Sequence, residues 1–228
     1  MPLPAWLRSR RLCAYSLSLL LATVLVACVA CTPRPAPAPT PPPAPALPAG
    51  APAPVTDTER DAVLFTQWRG GRAIELESFE SFLVHEKVAE VVPAYQLLRS
   101  ASMWKECQAE PFQVPPTQVW AQVREVLVLL RELRMRQVLP AFEVVSAYRD
   151  PALNRCAGGA ASSAHMRFAV DIAPLEPSDA DRLCRFWREE GQAWGMGVSR
   201  YPSGRIHIDR NGYRTWGATH GRDSSHCL

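Results

Sequence analysis

The sequence predicts an α+β domain, a small and mostly antiparallel sheet flanked by helices, from three observations. After Thr117, Val119, Val123, Val126, Leu127, Leu130 and Leu133 recur at helical spacing with Arg and Glu between them. Short β-rich runs stand at 142–148, 169–172, 196–201 and 205–210. Pro202-Ser-Gly204 joins the last two runs as a hairpin, so helices surround a sheet built from neighbouring strands. No internal repeat is present.

The elements follow in chain order. Residues 1–27 read as a secretion signal, with Arg8, Arg10 and Arg11 as its positive region and an apolar run from Leu12 to Ala27. Leu25-Val26-Ala27-Cys28 is a small-residue processing site followed by cysteine and resembles a bacterial lipobox, in which Cys28 is acylated and becomes the new N-terminus. The competing reading is an uncleaved anchor helix, since the apolar stretch extends to Ala30. Cys31 is a weaker lipid site because Cys28, not an aliphatic residue, stands three positions before it. Either reading exports the chain and tethers it to a membrane, on the periplasmic side of the cell envelope. Val29 after Cys28 favours the outer membrane.

Residues 28–56 form a spacer. Eleven prolines occupy the twenty-two positions 33–54, interleaved with alanine. Such a segment favours polyproline II and, at about 3.1 Å per residue, reaches roughly 65–70 Å. The folded part, 57–228, begins near Asp57 with a region that carries no chemistry. Within it 77–90 and 95–104 look helical, broken by Gly70-Gly71 and Pro93. Pro115-Pro116 ends that region and Thr117 is placed to cap the helix that follows. The strand at 142–148 precedes a loop of Gly, Ala and Ser (157–163) and the short strand at 169–172. Ser178 with Asp181 opens another helix through Leu183, Phe186 and Trp187.

Charge and cysteine content narrow the classes. The net charge of +3 comes from the leader. Without residues 1–27 there are 22 basic and 22 acidic residues and no basic stripe, which argues against a nucleic-acid partner. A monomer is expected. Cys107, Cys156, Cys184 and Cys227 lie in the folded part, and four cysteines in an exported domain suggest two disulfides with three possible connectivities. Cys107–Cys156 with Cys184–Cys227 is the expected pairing. Zinc binding by these four is disfavoured because no C-x-x-C pair occurs among them.

Chemistry concentrates in His165, Asp171, His207 and Asp209. Two imidazoles and a carboxylate on strand-like segments are a ligand set that holds a catalytic zinc with one position open. Asp171 lies between Val170 and Ile172, and His207 between Ile206 and Ile208. Alternation therefore turns both polar side chains away from the apolar face, with Asp209 on the side of His207. A carboxylate among apolar neighbours is costly to bury unless paired or metal-bound. A simple hydrogen-bonded Asp171–His207 pair is the alternative.

Ser146-Ala-Tyr-Arg149, the Asn154…Gly158-Gly159 loop, Ser163-Ala-His165…Ala169-Val-Asp171 and His207-Ile-Asp209…Tyr213-Arg-Thr-Trp216-Gly217 together resemble the D-Ala-D-Ala carboxypeptidase-like zinc peptidases. This is the peptidase M15 family, in its branch whose last metal motif reads His-x-Asp. The resemblance covers roughly residues 100–228. It implies an α+β metallopeptidase fold, a zinc ion held by His165, Asp171 and His207, and cleavage of peptide bonds in peptidoglycan stems as a carboxypeptidase or endopeptidase. It also implies that Arg149 binds a substrate carboxylate or carbonyl, against the alternative of a surface salt bridge, and that Ser163 supports the site.

Two departures from the family pattern stand out. Many relatives read His-x-x-Gly-x-Ala-x-Asp; here the interval from His165 to Asp171 is one residue shorter, with Phe168 in the glycine's place. The loss is expected to be absorbed at 166–168, because a slip inside the strand would turn Asp171 to the wrong face. Much of the family also carries an acid three residues before the last histidine as general base, where this chain has Gly204. Asp209 is the nearest carboxylate, either as catalytic base or as the partner that orients a ligand histidine. His220 and His226 are further candidates for the oxyanion, and Tyr213–Trp216 either walls the cleft or packs in the core. Besides the zinc peptidase, a non-catalytic peptidoglycan-binding or scaffold lipoprotein and a zinc hydrolase with another substrate remain open.

Overall fold

The computed structural model describes residues 57–174, 176 and 178–228. The leader, Cys28 and the proline-rich spacer lie outside the described residues. Among those described, no helix is long and apolar enough to cross a membrane.

Helices α1 (Asp57–Arg69) and α2 (Ala73–His85) are separated at Gly70-Gly71, and α3 (Ala94–Leu97) starts after Pro93. The helix expected over 95–104 ends at Leu97. Every residue from Gln96 to Ala101 is buried, which one helical face cannot achieve. The chain turns instead: Arg99 bridges Phe112, and the Ser100 hydroxyl donates to the Glu110 carbonyl at 2.7 Å. Helix α4 (Trp120–Met135) buries Val123, Val126, Leu127, Leu130 and Leu133 as its spacing requires. A 3-10 turn over Thr117–Val119 precedes it, and Thr117 makes no cap bond because Pro116 holds that position.

Five strands follow: β1 (Phe142–Ser146), β2 (Val170–Pro174), β3 (Gly197–Arg200), β4 (Ile206–Asp209) and β5 (Arg214–Trp216). Their order across the sheet is β1-β2-β4-β3-β5. The β1–β2, β2–β4 and β3–β4 pairs are antiparallel, whereas β5 runs parallel to β3. The sheet is therefore mixed, which corrects the expectation of a mostly antiparallel one. After β4 the chain reverses and lies on the far side of β3, where its direction matches β3. That strand was not legible because only Thr215 of its three residues is buried.

Helix α5 (Pro151–Cys156) follows β1, and α6 (Asp179–Trp194) links β2 to β3. Asp150 caps α5 by accepting from the Ala152 and Leu153 amides at 2.8 and 2.9 Å. Ser178 stands at the N-cap of α6 without a side-chain cap bond; its hydroxyl accepts from Arg182 instead. Gly195 ends α6 in the left-handed conformation, φ 56°.

One core unites these elements. Val144, Val170, Ile172, Val198, Ile206 and Ile208 cluster with the leucines of α4, with Leu183 and Trp187 of α6, and with Leu76 and Phe79 of α2. Burying six strand residues on one face leaves the polar residues between them on the other. Disulfides join Cys107 to Cys156 and Cys184 to Cys227, the second fastening the C-terminus to α6.

Candidate metal centre

The register of β2 and β4 sets Asp171 directly opposite His207. His165 comes from a 3-10 turn, Ala164–Met166, whose entry is capped by the Ser163 hydroxyl accepting from the His165 amide at 3.3 Å. Asp171 Oδ1 lies 3.2 Å from His165 Nε2 and 3.1 Å from His207 Nδ1. The three candidate ligand atoms all fall within 4.8 Å of one another and all three residues are buried.

The shortened His–Asp interval is absorbed before the strand. Phe168 adopts φ 96°, a conformation that favours glycine. β2 then begins at Val170 with its alternation intact. Phe168 is fully buried, so surrounding packing holds the backbone there.

The outward nitrogen of each ring is spoken for. His165 Nδ1 donates to the Ala147 carbonyl at 2.6 Å, and His207 Nε2 donates to Asp209 Oδ2 at 2.8 Å. A neutral ring with that tautomer turns a bare lone pair toward Asp171 Oδ1. Two lone pairs and a carboxylate oxygen facing one another repel unless a cation or protons lie between them. Zinc with ligands at about 2.0–2.2 Å in a tetrahedron sets its ligand atoms roughly 3.3–3.6 Å apart. The two Asp–His separations sit just under that and no pair exceeds 4.8 Å, so a divalent ion fits once the side chains draw in around it.

Electrostatics agree with a charged carboxylate at the centre. Burial opposes ionisation of Asp171, but the two histidines hold it well below the usual carboxylate range. Burial pushes His165 down despite the neighbouring carboxylate. Burial also disfavours charge on His207, yet hydrogen bonds to Asp171 and Asp209 outweigh it and raise its pKa. Arg149 Nη2 donates to Asp171 Oδ2 at 2.7 Å, and its Nε and Nη2 donate to the Ser146 hydroxyl at 3.0 and 2.8 Å.

Asp209 is fully buried and saturated. Besides His207 it accepts from Arg214 Nη1 and Nη2 at 3.0 and 2.6 Å and from the Asn211 amide at 2.7 Å. Burial disfavours its charge, but the hydrogen bond with His207 leads a set of contacts that lowers its pKa to about 2. Gly197 pairs with Asp209 across β3–β4, and a Cβ there would come within 2.6 Å of Asp209 Oδ2. Only glycine leaves room for the carboxylate and its arginine.

A cavity of about 610 Å³ opens over the centre. Arg149, Ser163, His165, Asp171 and His207 all line it; Asp209 and Gly204 do not. Gly204 lies in the β3–β4 turn with φ 84°, its amide bonded to the Tyr201 carbonyl at 2.9 Å. Trp216 lines the cavity and meets the His207 ring edge-on at 5.0 Å, while Tyr213 stacks on Trp187 at 4.6 Å. The aromatic stretch is thus divided between wall and packing. His220 lines the cavity, whereas His226 pairs with Asp181 at 3.0 Å away from it.

Sequence reasoning missed Tyr201, Arg205 and Arg214. The Tyr201 hydroxyl is 3.5 Å from His207 Nδ1, and burial pushes its pKa up, so it stays protonated. Its position six residues before His207, directly after β3, could have flagged it. The role of Ala147 had no sequence signal because its backbone makes the contact.

Residues 97–209 match the family model described as peptidase M15. That span includes β1, β2, β4 and all three candidate ligands. Neither a curated protein nor a solved structure gives a significant match to the chain.

Proposed function

Because the chain belongs to the peptidase M15 family through residues 97–209, we propose that it is an exported zinc peptidase hydrolysing peptide bonds in peptidoglycan stem peptides. The observation that carries the reading is the convergence of His165 Nε2, Asp171 Oδ1 and His207 Nδ1, each outer nitrogen being held by an acceptor. Export is supported by two disulfides, which persist in oxidising compartments. It is further supported by the leader and Cys28, through which the domain is anchored to the membrane by lipid.

In this reading His165, Asp171 and His207 hold the metal. Bound zinc supplies a Lewis acid that lowers the pKa of water toward neutrality and polarises a carbonyl. The protein's own groups do the rest. Arg149 fixes the second oxygen of Asp171, and its place on the cavity wall also suits it to a substrate carbonyl or carboxylate. Ser163 sets the entry to the His165 turn. Tyr201, kept protonated, donates a hydrogen bond to an oxygen developing charge beside His207. Asp209, saturated by His207, Asn211 and Arg214, orients the ligand and is not the base. Taking a proton from water then falls to His220, the remaining imidazole among the described residues of the cavity wall.

The absence of an acid at Gly204 from the cavity lining favours a second reading, a peptidoglycan-binding lipoprotein without turnover. Metal analysis and hydrolysis of muropeptides by wild type and His207→Ala separate the two. Zinc at one equivalent with turnover lost in His207→Ala supports the peptidase. Binding of wall fragments without zinc or turnover supports the scaffold.

A further inference from the structure

Three guanidinium groups line the metal cavity: Arg149, Arg205 and Arg214. Two are committed to carboxylates of the protein, Arg149 to Asp171 and Arg214 to Asp209. Arg205, among the described residues, makes its hydrogen bond to a neutral group, the Ser102 hydroxyl at 2.6 Å. Among the described residues, the sole carboxylate on the cavity wall is Asp171, already engaged at both oxygens. Arg205 therefore brings positive charge to the site that no acid there offsets.

Its position extends that charge beyond the metal. Arg205 also lines a neighbouring cavity of about 460 Å³, and a third of about 440 Å³ where Glu176 is accompanied by Arg200 as well. The acids of that second cavity, Asp61 and Glu143, meet Arg99 at 2.8 and 2.7 Å. Lys105 adds another cation there, with its ammonium 5.3 Å from the Trp104 ring centre. One guanidinium serves both acids there, Lys105 brings their charges into balance, and Arg205 is the excess cation that a chain leaving the metal centre would pass.

We propose that Arg205 is a specificity-determining residue that binds a carboxylate of the substrate, so that this peptidase takes acidic peptides over neutral ones. The inference rests on the peptidase reading above and names its substrate class. A guanidinium presents parallel donors to a carboxylate, and such charge-assisted pairs are about twice as strong as neutral hydrogen bonds. The carboxylate comes from an acidic side chain or from a peptide C-terminus.

Binding of three probes to the zinc-loaded full chain by calorimetry tests this. The probes are a tetrapeptide amide with one glutamate, its glutamine counterpart, and the glutamine peptide with a free C-terminus. At least one charged probe is expected to bind wild type about 10- to 100-fold more tightly than the neutral amide, the range of a hydrogen bond to a charged group. Which one does identifies the source of the carboxylate. In Arg205→Gln the ratio narrows to about threefold or less, and Arg205→Lys keeps most of it, with zinc content and melting temperature matched to wild type. A wild-type ratio near one, no measurable binding of either charged probe, or an unchanged ratio in Arg205→Gln overturns the assignment. Hydrolysis of the same probes is scored separately. Arg205-dependent preference without cleavage overturns only the peptidase reading, and cleavage without preference overturns only this inference.

Discussion

Asp209 Oδ2 lies 2.8 Å from His207 Nε2, while the other ring nitrogen of His207 faces Asp171 at 3.1 Å. One imidazole is thus clamped between two carboxylates with different tasks. The outer one is saturated by an arginine and a backbone amide, and the inner one faces the cavity. This division makes the centre's strength depend on a residue that the cavity does not reach.

Asp209→Ala is expected to lower zinc affinity about 10- to 100-fold, the usual cost of losing an orienting partner. Competition with a chromophoric chelator measures it. Unchanged affinity would remove Asp209 from the metal centre.

Gly197→Ala places a methyl group 2.6 Å from Asp209 Oδ2 and 2.8 Å from Arg214 Nη1. Both atoms are held by their mutual ion pair, so neither yields freely. A loss of about 1–3 kcal/mol in urea unfolding is expected, the usual range for overpacking, together with weaker zinc binding. Stability equal to wild type would show that the Asp209–Arg214 pair shifts without cost.

Phe168→Gly sets two effects against each other. Glycine relieves a positive φ worth about 1–3 kcal/mol, but removing a fully buried phenyl ring costs about 3–5 kcal/mol. Burial wins, and a net loss of about 2 kcal/mol is expected by denaturant unfolding. A stabilised variant would mean that the backbone strain dominates.

Asp150 carries the clearest pH dependence outside the metal centre. Burial raises its pKa, but hydrogen bonds from Leu153, Gln113 and Ala152 outweigh that and lower it. A depressed carboxyl contributes stability above the unfolded value of about 3.9 and loses it as pH falls through the lower folded value. Asp150→Ala is expected to cost about 1 kcal/mol at pH 7, as for other helix caps. The difference from wild type should shrink below about pH 4. A difference constant down to pH 2 would contradict it.

Removing the metal should destabilise the protein. At a free zinc concentration 100 times Kd, binding adds about 2.7 kcal/mol. Calorimetry with and without chelator should show a lower melting temperature without metal, and His165→Ala should abolish the difference.

Much of this was legible because burial enforces alternation. Ile206 and Ile208 enter the core, so His207 must point the other way, and the same holds for Asp171 between Val170 and Ile172. The α4 stripe was equally plain. The short helix at α3 was not, since Arg99 and Ser100 are buried through partners far along the chain. β5 escaped notice because its pairing with β3 depends on where the chain goes after Gly212. Asp209 could not be assigned from sequence, since its role turns on Arg214 reaching it. Arg205 was legible only as a hairpin neighbour; its importance comes from three cavities meeting at its side chain.

The bond between Cys184 and Cys227 gives the closing segment of the chain a second mooring. Trp216 and His220 of that segment line the cavity; β-pairing secures its start and the sulfur link its end. His165, Asp171 and His207 belong to other stretches and need neither fastening. Replacing Cys184 and Cys227 together by serine should therefore loosen the wall at Trp216 and His220 while leaving metal content unchanged.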